Sequence, residues 1–214
     1  MKVAILIPCM DYVHSRFAQS LADMIAETMR PAITFNGQIT RPQIKTLVGD
    51  IGGLEYKRTH LAMEAIRAGA DYLLWCDSDH IVPSDALLTL AKHDLPIVGC
   101  NYLRRTPPHL PTALGADGEP VQGRGLQEVA AIGFGLCLMK APIFDRVPKP
   151  WFASEIGEDG RSIRGEDVHF CNQARAAGIP VIIDHDLRLG HLATQTLFIG
   201  ENVDAGSVLS ASGP

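Results

Sequence analysis

Asp77 and Asp79 stand one residue apart at the end of the apolar run Tyr72-Leu73-Leu74-Trp75-Cys76. Such a run predicts a central strand covered on both faces. Residues i and i+2 of a strand point to one side. The two carboxylates are therefore expected to converge just past the carboxyl end of a buried parallel strand, where open α/β sheets bind ligands. Two hard oxygen donors there suit Mg²⁺ or Mn²⁺ held jointly with a substrate's phosphates. An acidic pair in this position also serves simply to begin a turn. An EF-hand is excluded, because the loop from Asp77 to Val82 lacks Gly at its sixth position and no Glu closes it.

Other residues able to do chemistry are scattered along the chain. Glu166 and Asp167 follow Gly165 at the start of a predicted helix, where acidic residues are favoured by the macrodipole alone. Arg104-Arg105 lies in a Pro-rich segment; a guanidinium can clamp phosphate bidentately, or stand solvated. Gly133 and Gly135 either let the backbone approach a ligand closely or mark a bulge. Trp151-Phe152 reads as core packing before it reads as a wall for a sugar face. Lys57 and Arg58 read first as a solvated helix face. His185 and Asp186 are strand or turn neighbours facing opposite ways, and are assigned to the surface. His169 is assigned a structural role.

The elements that must position these residues alternate. Val3 to Ile7 is a buried strand ended by Pro8, and 14–29 has helical spacing with Phe17, Leu21, Met24 and Ile25 on one face. Weaker strands fall at 32–35 and 44–48. A helix follows over 54–68, with Leu61, Ala65 and Ile66 inward and Gly69 as its stop. After the Tyr72–Cys76 strand come a helix capped by Ser84 and a strand over 97–100. This βαβ rhythm predicts a mainly parallel sheet with helices on both faces. Residues 101–127 form a Pro/Gly-rich excursion with room for a small hairpin. An apolar strand over 129–139, broken by Gly133 and Gly135, precedes a helix over 165–177 closed by Gly178 and a short strand over 181–183.

A length of 214 residues, 46% hydrophobic and 20% charged, suits one domain of ordinary size. It is expected over 1–203, with a flexible Ser/Gly/Ala-rich tail over 204–214. A net charge of −5 argues against a surface that binds nucleic acid throughout. The odd count of five cysteines, none in Cys-x-x-Cys spacing, points to buried thiols in a reducing compartment. The N-terminus has no signal-peptide anatomy and no apolar run approaches the length of a membrane span. A cytoplasmic protein is expected.

Four features occur in an order that resembles the GT-A fold glycosyltransferases. They are Ile7-Pro8-Cys9-Met10-Asp11 ending the first strand, Tyr56-Lys57-Arg58 opening a helix, Cys76-Asp77-Ser78-Asp79, and Gly165-Glu166-Asp167 followed by Gly190-His191. The chain is most similar to small stand-alone family 2-like members from bacteriophages and prophages, over roughly residues 1–195. The resemblance implies a single-domain GT-A (Rossmann-like) fold and a nucleoside-diphosphate sugar donor, UDP- or GDP-linked. Asp79 would contact Mn²⁺ or Mg²⁺ directly, with His191 as a further ligand. Asp77 would reach the ribose or a metal-bound water. Pro8, Met10, Asp11, Arg58 and the Gly133/Gly135 segment would face the donor. Asp167, or else Glu166, would be the general base of an inverting reaction on an acceptor hydroxyl, such as that of a glycan or a hydroxylated DNA base. The acidic residue that recognises the nucleobase in many members has only Asn36 or Asp50 as a counterpart. A retaining reaction and a non-catalytic binding module are the alternatives. A sugar nucleotidyltransferase is disfavoured, because residues 8–14 contain no glycine.

Overall fold

In the Tyr72–Cys76 segment every side chain is buried, and alternate ones enter different cores. Leu73 and Trp75 pack with Leu61, Ala62, Phe170 and Ala174. Tyr72, Leu74 and Cys76 pack with Phe17, Met24, Leu87 and Leu90. This is the period of two expected of a strand covered by helices on both faces.

The structure is a computed structural model describing residues 1–30, 33–35, 38–160 and 162–193. The predicted tail and Asn36 lie outside the described residues. In chain order the elements are β1 (Lys2–Pro8), α1 (Ser15–Met29), β2 (Ile33–Phe35), β3 (Gln38–Thr40), β4 (Gln43–Gly49), α2 (Leu54–Arg67), β5 (Tyr72–Cys76) and β6 (His80–Ile81). Then follow α3 (Ala86–Lys92), β7 (Ile97–Cys100), β8 (Leu126–Glu128), β9 (Leu136–Lys140), β10 (Glu155–Ile156), β11 (Ser162–Arg164), α4 (Glu166–Ala176), β12 (Ile182–Asp184) and β13 (Gly190–His191).

The main sheet has the order β4-β1-β5-β9-β7-β12-β8. Strands β4, β1, β5, β7 and β12 point one way, while β9 runs against both its neighbours and β8 runs against β12. Helices α2 and α4 cover one face; α1 and α3 cover the other. Gly69 (φ 72°) and Gly178 (φ 71°) end α2 and α4 in the left-handed conformation that glycine adopts freely. Among the described residues no helix is long and apolar enough to cross a membrane. All five cysteines are buried free thiols.

Two elements differ from expectation. Helix α3 has Asp85, not Ser84, at its N-cap position, with no side-chain cap bond. The apolar run 129–139 yields a strand only from Leu136, because Ala130 and Ala131 turn their amides to the Leu114 carbonyl instead of the sheet. The expected small hairpin in the excursion is present, closed by the bridge between Leu103 and Pro111.

Candidate active site

Strand β5 stops at Cys76, and Ser78-Asp79 turns the chain into β6. The turn ends the alternation on which convergence of the two aspartates depended. Asp77 Oδ1 accepts a hydrogen bond from Arg58 Nη2 at 3.1 Å, whereas Asp79 faces His80, His191 and Arg105. The pair thus serves two different centres.

At the Asp79 centre, β13 pairs antiparallel with β6 and sets His191 opposite His80. The two imidazoles stack with centroids 4.3 Å apart and planes at 15°, and the Tyr102 ring meets both edge-on. His191 Nδ1 bonds the Leu103 carbonyl at 2.7 Å. That bond takes up Nδ1 and leaves Nε2 facing Asp79 Oδ2, 3.4 Å away. Burial works to raise the Asp79 pKa, but the adjacent His191 and His80 imidazoles outweigh it and hold it well below the usual carboxylate range. For His191, burial works downward and is outweighed by the Asp79 and Leu103 contacts, so its pKa is raised. Arg105 Nη1 lies 3.0 Å from Asp79 Oδ2, which gives one arginine of the Arg104-Arg105 pair a defined partner.

His80 is 1% exposed, and neither ring nitrogen has a hydrogen-bond partner. Its Nδ1 is 3.0 Å from Asp79 Oδ1 but outside hydrogen-bond alignment. Ligand atoms of Asp79, His80 and His191 all lie within 4.8 Å of one another. A carboxylate and imidazoles with an unused lone pair are a donor set that fits a divalent cation. Asp77 is outside this set.

Gly133 and Gly135 are explained by the same rings. A Cβ on Gly133 would collide with the Tyr102 hydroxyl, and one on Gly135 would lie 2.7 Å from both His80 Cε1 and Tyr102 Cζ. The Gly135 amide donates to the Tyr102 hydroxyl at 3.1 Å. The close approach foreseen for these glycines is therefore to protein side chains.

The second centre is built on Arg58. Its guanidinium is 2% exposed, donates through Nε to Glu166 Oε1 at 2.9 Å and through Nη2 to Asp77, and lies over the Trp75 and Phe134 rings. Neither Arg58 nor Lys57 stands on a solvated face. Lys57 is 6% exposed and its Nζ donates to the Cys9 carbonyl at 2.7 Å. Burial raises the Asp77 pKa and Arg58 pulls it down, the net shift being upward. With Glu166 committed to Arg58, Asp167 stands at the first turn of α4, where its Oδ1 accepts a hydrogen bond from the Val168 amide. Burial, reinforced by Glu166, pushes its pKa up to about 6.

Pro8 is buried at the end of β1, while Met10 and Asp11 are exposed just beyond it. Asp50 is exposed beside them, after β4, whose Gly49 carbonyl binds the Cys9 amide. These residues share the rim formed by the strand ends. Trp151 and Phe152 are core residues, as expected. His185 stands in a turn after β12, bonded to Gln127, and His169 binds the Pro150 carbonyl. Sequence reasoning missed His80 and Tyr102. His80 follows Asp79 directly, and the turn at Ser78-Asp79 brings the two side chains to one centre.

No family model matches the chain, and no curated protein matches it by sequence. Solved structures do match. Protein A197 from STIV aligns over 94% of this chain and 99% of its own, with TM-score 0.59 and 16% identity. The catalytic domain of Drosophila β1,4-galactosyltransferase 7, solved with xylobiose, aligns over 92% and 76%, with TM-score 0.52 and 18% identity. GalNAc-T7, solved with UDP, GalNAc and Mn²⁺, aligns over 94% of this chain and 45% of its own, with TM-score 0.56 and 12% identity. At these identities the likeness defines the fold, which is the GT-A fold of glycosyltransferases.

Proposed function

We propose that the protein is a metal-dependent glycosyltransferase that moves a sugar from a nucleoside-diphosphate donor, UDP- or GDP-linked, to an acceptor hydroxyl with inversion. The observation that carries this reading is the division of labour between two acidic centres. Asp79 stands with imidazoles in a set that suits a cation, and Asp167 stands beside a Glu166 already paired with Arg58.

Asp79 and His191 would hold Mn²⁺ or Mg²⁺. When bound, the cation offsets the negative charge that develops on the leaving diphosphate. Asp167 takes the proton of the acceptor hydroxyl as its oxygen attacks the anomeric carbon; a carboxyl near pH 6 is ionised at neutral pH yet basic enough to serve. Met10, Asp11 and Asp50, exposed at the ends of β1 and β4, face the nucleoside. Arg58 holds Asp77 and Glu166 in place, a role different from the donor contact its sequence position suggested. The small viral neighbour suits a stand-alone, phage-type enzyme of a single domain, acting on a glycan or on a hydroxylated DNA base in the cytoplasm.

The test is calorimetry with UDP and GDP, with and without Mn²⁺, followed by transfer assays with the matching sugar nucleotides. Metal-dependent binding with turnover is expected. Binding without turnover to any acceptor or water would favour a non-catalytic module, and no binding would overturn the proposal.

A further inference from the structure

The carboxyl ends of β4, β1, β5, β7 and β12 lie along one rim of the main sheet. Met10, Asp11 and Asp50 mark its β1–β4 side, and Asp79 follows β5. Across the Asp79 centre, where β7 and β12 end, lies an open cavity of about 550 Å³ that contains none of the residues assigned above to metal, donor or base. Its walls are the excursion, with Tyr102, Leu103 and Gln122, and the loop after β12, with His185, Arg188 and Leu189. A smaller cavity of about 220 Å³ adjoins it, sharing Leu103 and Leu189 and adding Arg104, Arg105 and His109. The larger volume falls in the range of small-ligand sites.

The walls are held in place. Asn101 donates to the Val121 carbonyl at 2.7 Å and accepts from the Ala113 amide at 3.2 Å, tying both to the start of the excursion. His185 meets Gln127 at 2.8 Å, and the absence of a Cβ at Gly123 lets its ring lie against the excursion. The charge is one-sided. Among the described residues no carboxylate lines either cavity, and neither Arg104 nor Arg188 has an acidic partner. Arg105 is paired with Asp79. On a chain of net charge −5 this is a local concentration of positive charge. A phosphate monoester carries about −1.5 to −2 charges and three terminal oxygens. It suits the free guanidinium groups of Arg104 and Arg188, with Gln122 and His185 as further polar partners on the two walls. A carboxylate brings a single charge confined to one plane.

We propose that this cavity binds the acceptor, and that the acceptor carries a phosphate ester held by Arg188 and Arg104. The inference rests on the proposed function and deepens it by naming the acceptor's chemical class. The donor then enters at the β1–β4 side of the rim and the acceptor at the β7–β12 side, with the Asp79 centre between them.

The experiment follows the backbone amides of the full chain by nuclear magnetic resonance while matched probes are added: glucose, glucuronate and glucose 6-phosphate. Without metal or nucleotide, glucose 6-phosphate should shift the amides of Gln122, Gly123, Arg188 and Leu189 and bind more tightly than the other two. Arg188 is exposed, so Arg188→Gln leaves the fold intact. It should weaken binding by about tenfold, the loss expected of one hydrogen bond to a charged group; Arg104→Gln is the second variant and should act in the same direction. With UDP and Mg²⁺ present, the cavity shifts should persist and add to those at Met10, Asp11 and Asp50. Glucuronate binding as tightly as glucose 6-phosphate would overturn the phosphate assignment. Shifts that avoid the cavity, or unchanged affinity in both variants, would overturn the site. Competition between UDP and glucose 6-phosphate would give the cavity to the donor, ending the acceptor role while the proposed function stands. A chain that binds glucose 6-phosphate but no nucleotide with metal would overturn the acceptor role and the proposed function together.

Discussion

Arg58 Nε and Glu166 Oε1 meet at 2.9 Å across 108 positions of sequence, and the same guanidinium reaches Asp77. One side chain of α2 thereby ties the end of β5 to the start of α4. In a buried setting the removal of one partner strands the other charges. Arg58→Met is expected to destabilise the protein by about 3–5 kcal/mol, the usual cost of breaking a buried pair. Lys should rescue poorly, since it lacks the fork that serves two carboxylates at once. Urea unfolding of both variants checks this; a loss below about 1 kcal/mol, the range of exposed pairs, would refute it.

Asp167→Asn is expected to retain donor affinity while transfer falls by about 10²–10⁴-fold, the usual contribution of a general base. The amide keeps the shape but cannot take a proton. Calorimetry for the donor and a rate for the acceptor separate the two effects, and a wild-type rate would exclude Asp167 and direct attention to Glu166→Gln.

The pH dependence has a definite sign. The Asp167 pKa is raised to about 6, so the base is ionised above that value. The transfer rate should climb with pH and be half-maximal near 6 under saturating donor and metal. For stability the sign is opposite. A carboxyl that holds its proton more tightly folded than unfolded favours folding below the unfolded value of about 4 and loses that contribution as pH rises through about 6. A flat rate profile between pH 5 and 7 (about one unit either side) would contradict the assignment.

Asp79→Ala should abolish metal-dependent binding of UDP or GDP without unfolding the chain. His191→Ala should weaken it less, because a neutral imidazole contributes less charge than a carboxylate. Mn²⁺ titration of the two variants gives the order directly, and equal affinity in His191→Ala and the wild type would return His191 to a structural role.

Gly135→Ala places a methyl 2.7 Å from His80 Cε1 and Tyr102 Cζ. Overpacking of this kind costs about 1–3 kcal/mol. Because the displaced His80 ring stacks on His191, Mn²⁺ affinity should fall together with the melting temperature. A variant with normal metal affinity would show that the ring position is not critical.

The frame was legible because its strands and helices are marked by uninterrupted apolar runs and by Gly69 and Gly178 as stops. The direction of β9 was not, since Leu136–Lys140 reads the same in either sense and only its neighbours fix it. Asp79, His191, Glu166 and Asp167 stood out by type and position. The partners that divide their roles did not. Arg58 shares no local sequence with Glu166, and Tyr102 reaches Gly133 and Gly135 from the excursion. These contacts depend on how loops fold over the rim, which carries no periodic signal. The i, i+2 rule misled at Asp77 and Asp79 because both residues lie past the end of β5 at Cys76.

The excursion after β7 leaves the sheet after Cys100 and rejoins it at Leu126, and the register sets both beside Asp184 of β12. Between those points Ala113 is buried in the core and Leu114 bonds Ala131, while residues 103–110 are exposed. The excursion also carries Tyr102 and Arg105 to the Asp79 centre. The exposed tip around residues 106–109 stands clear of the sheet, so its replacement would alter the surface beside the Asp79 centre while the sheet and both helical layers keep their places.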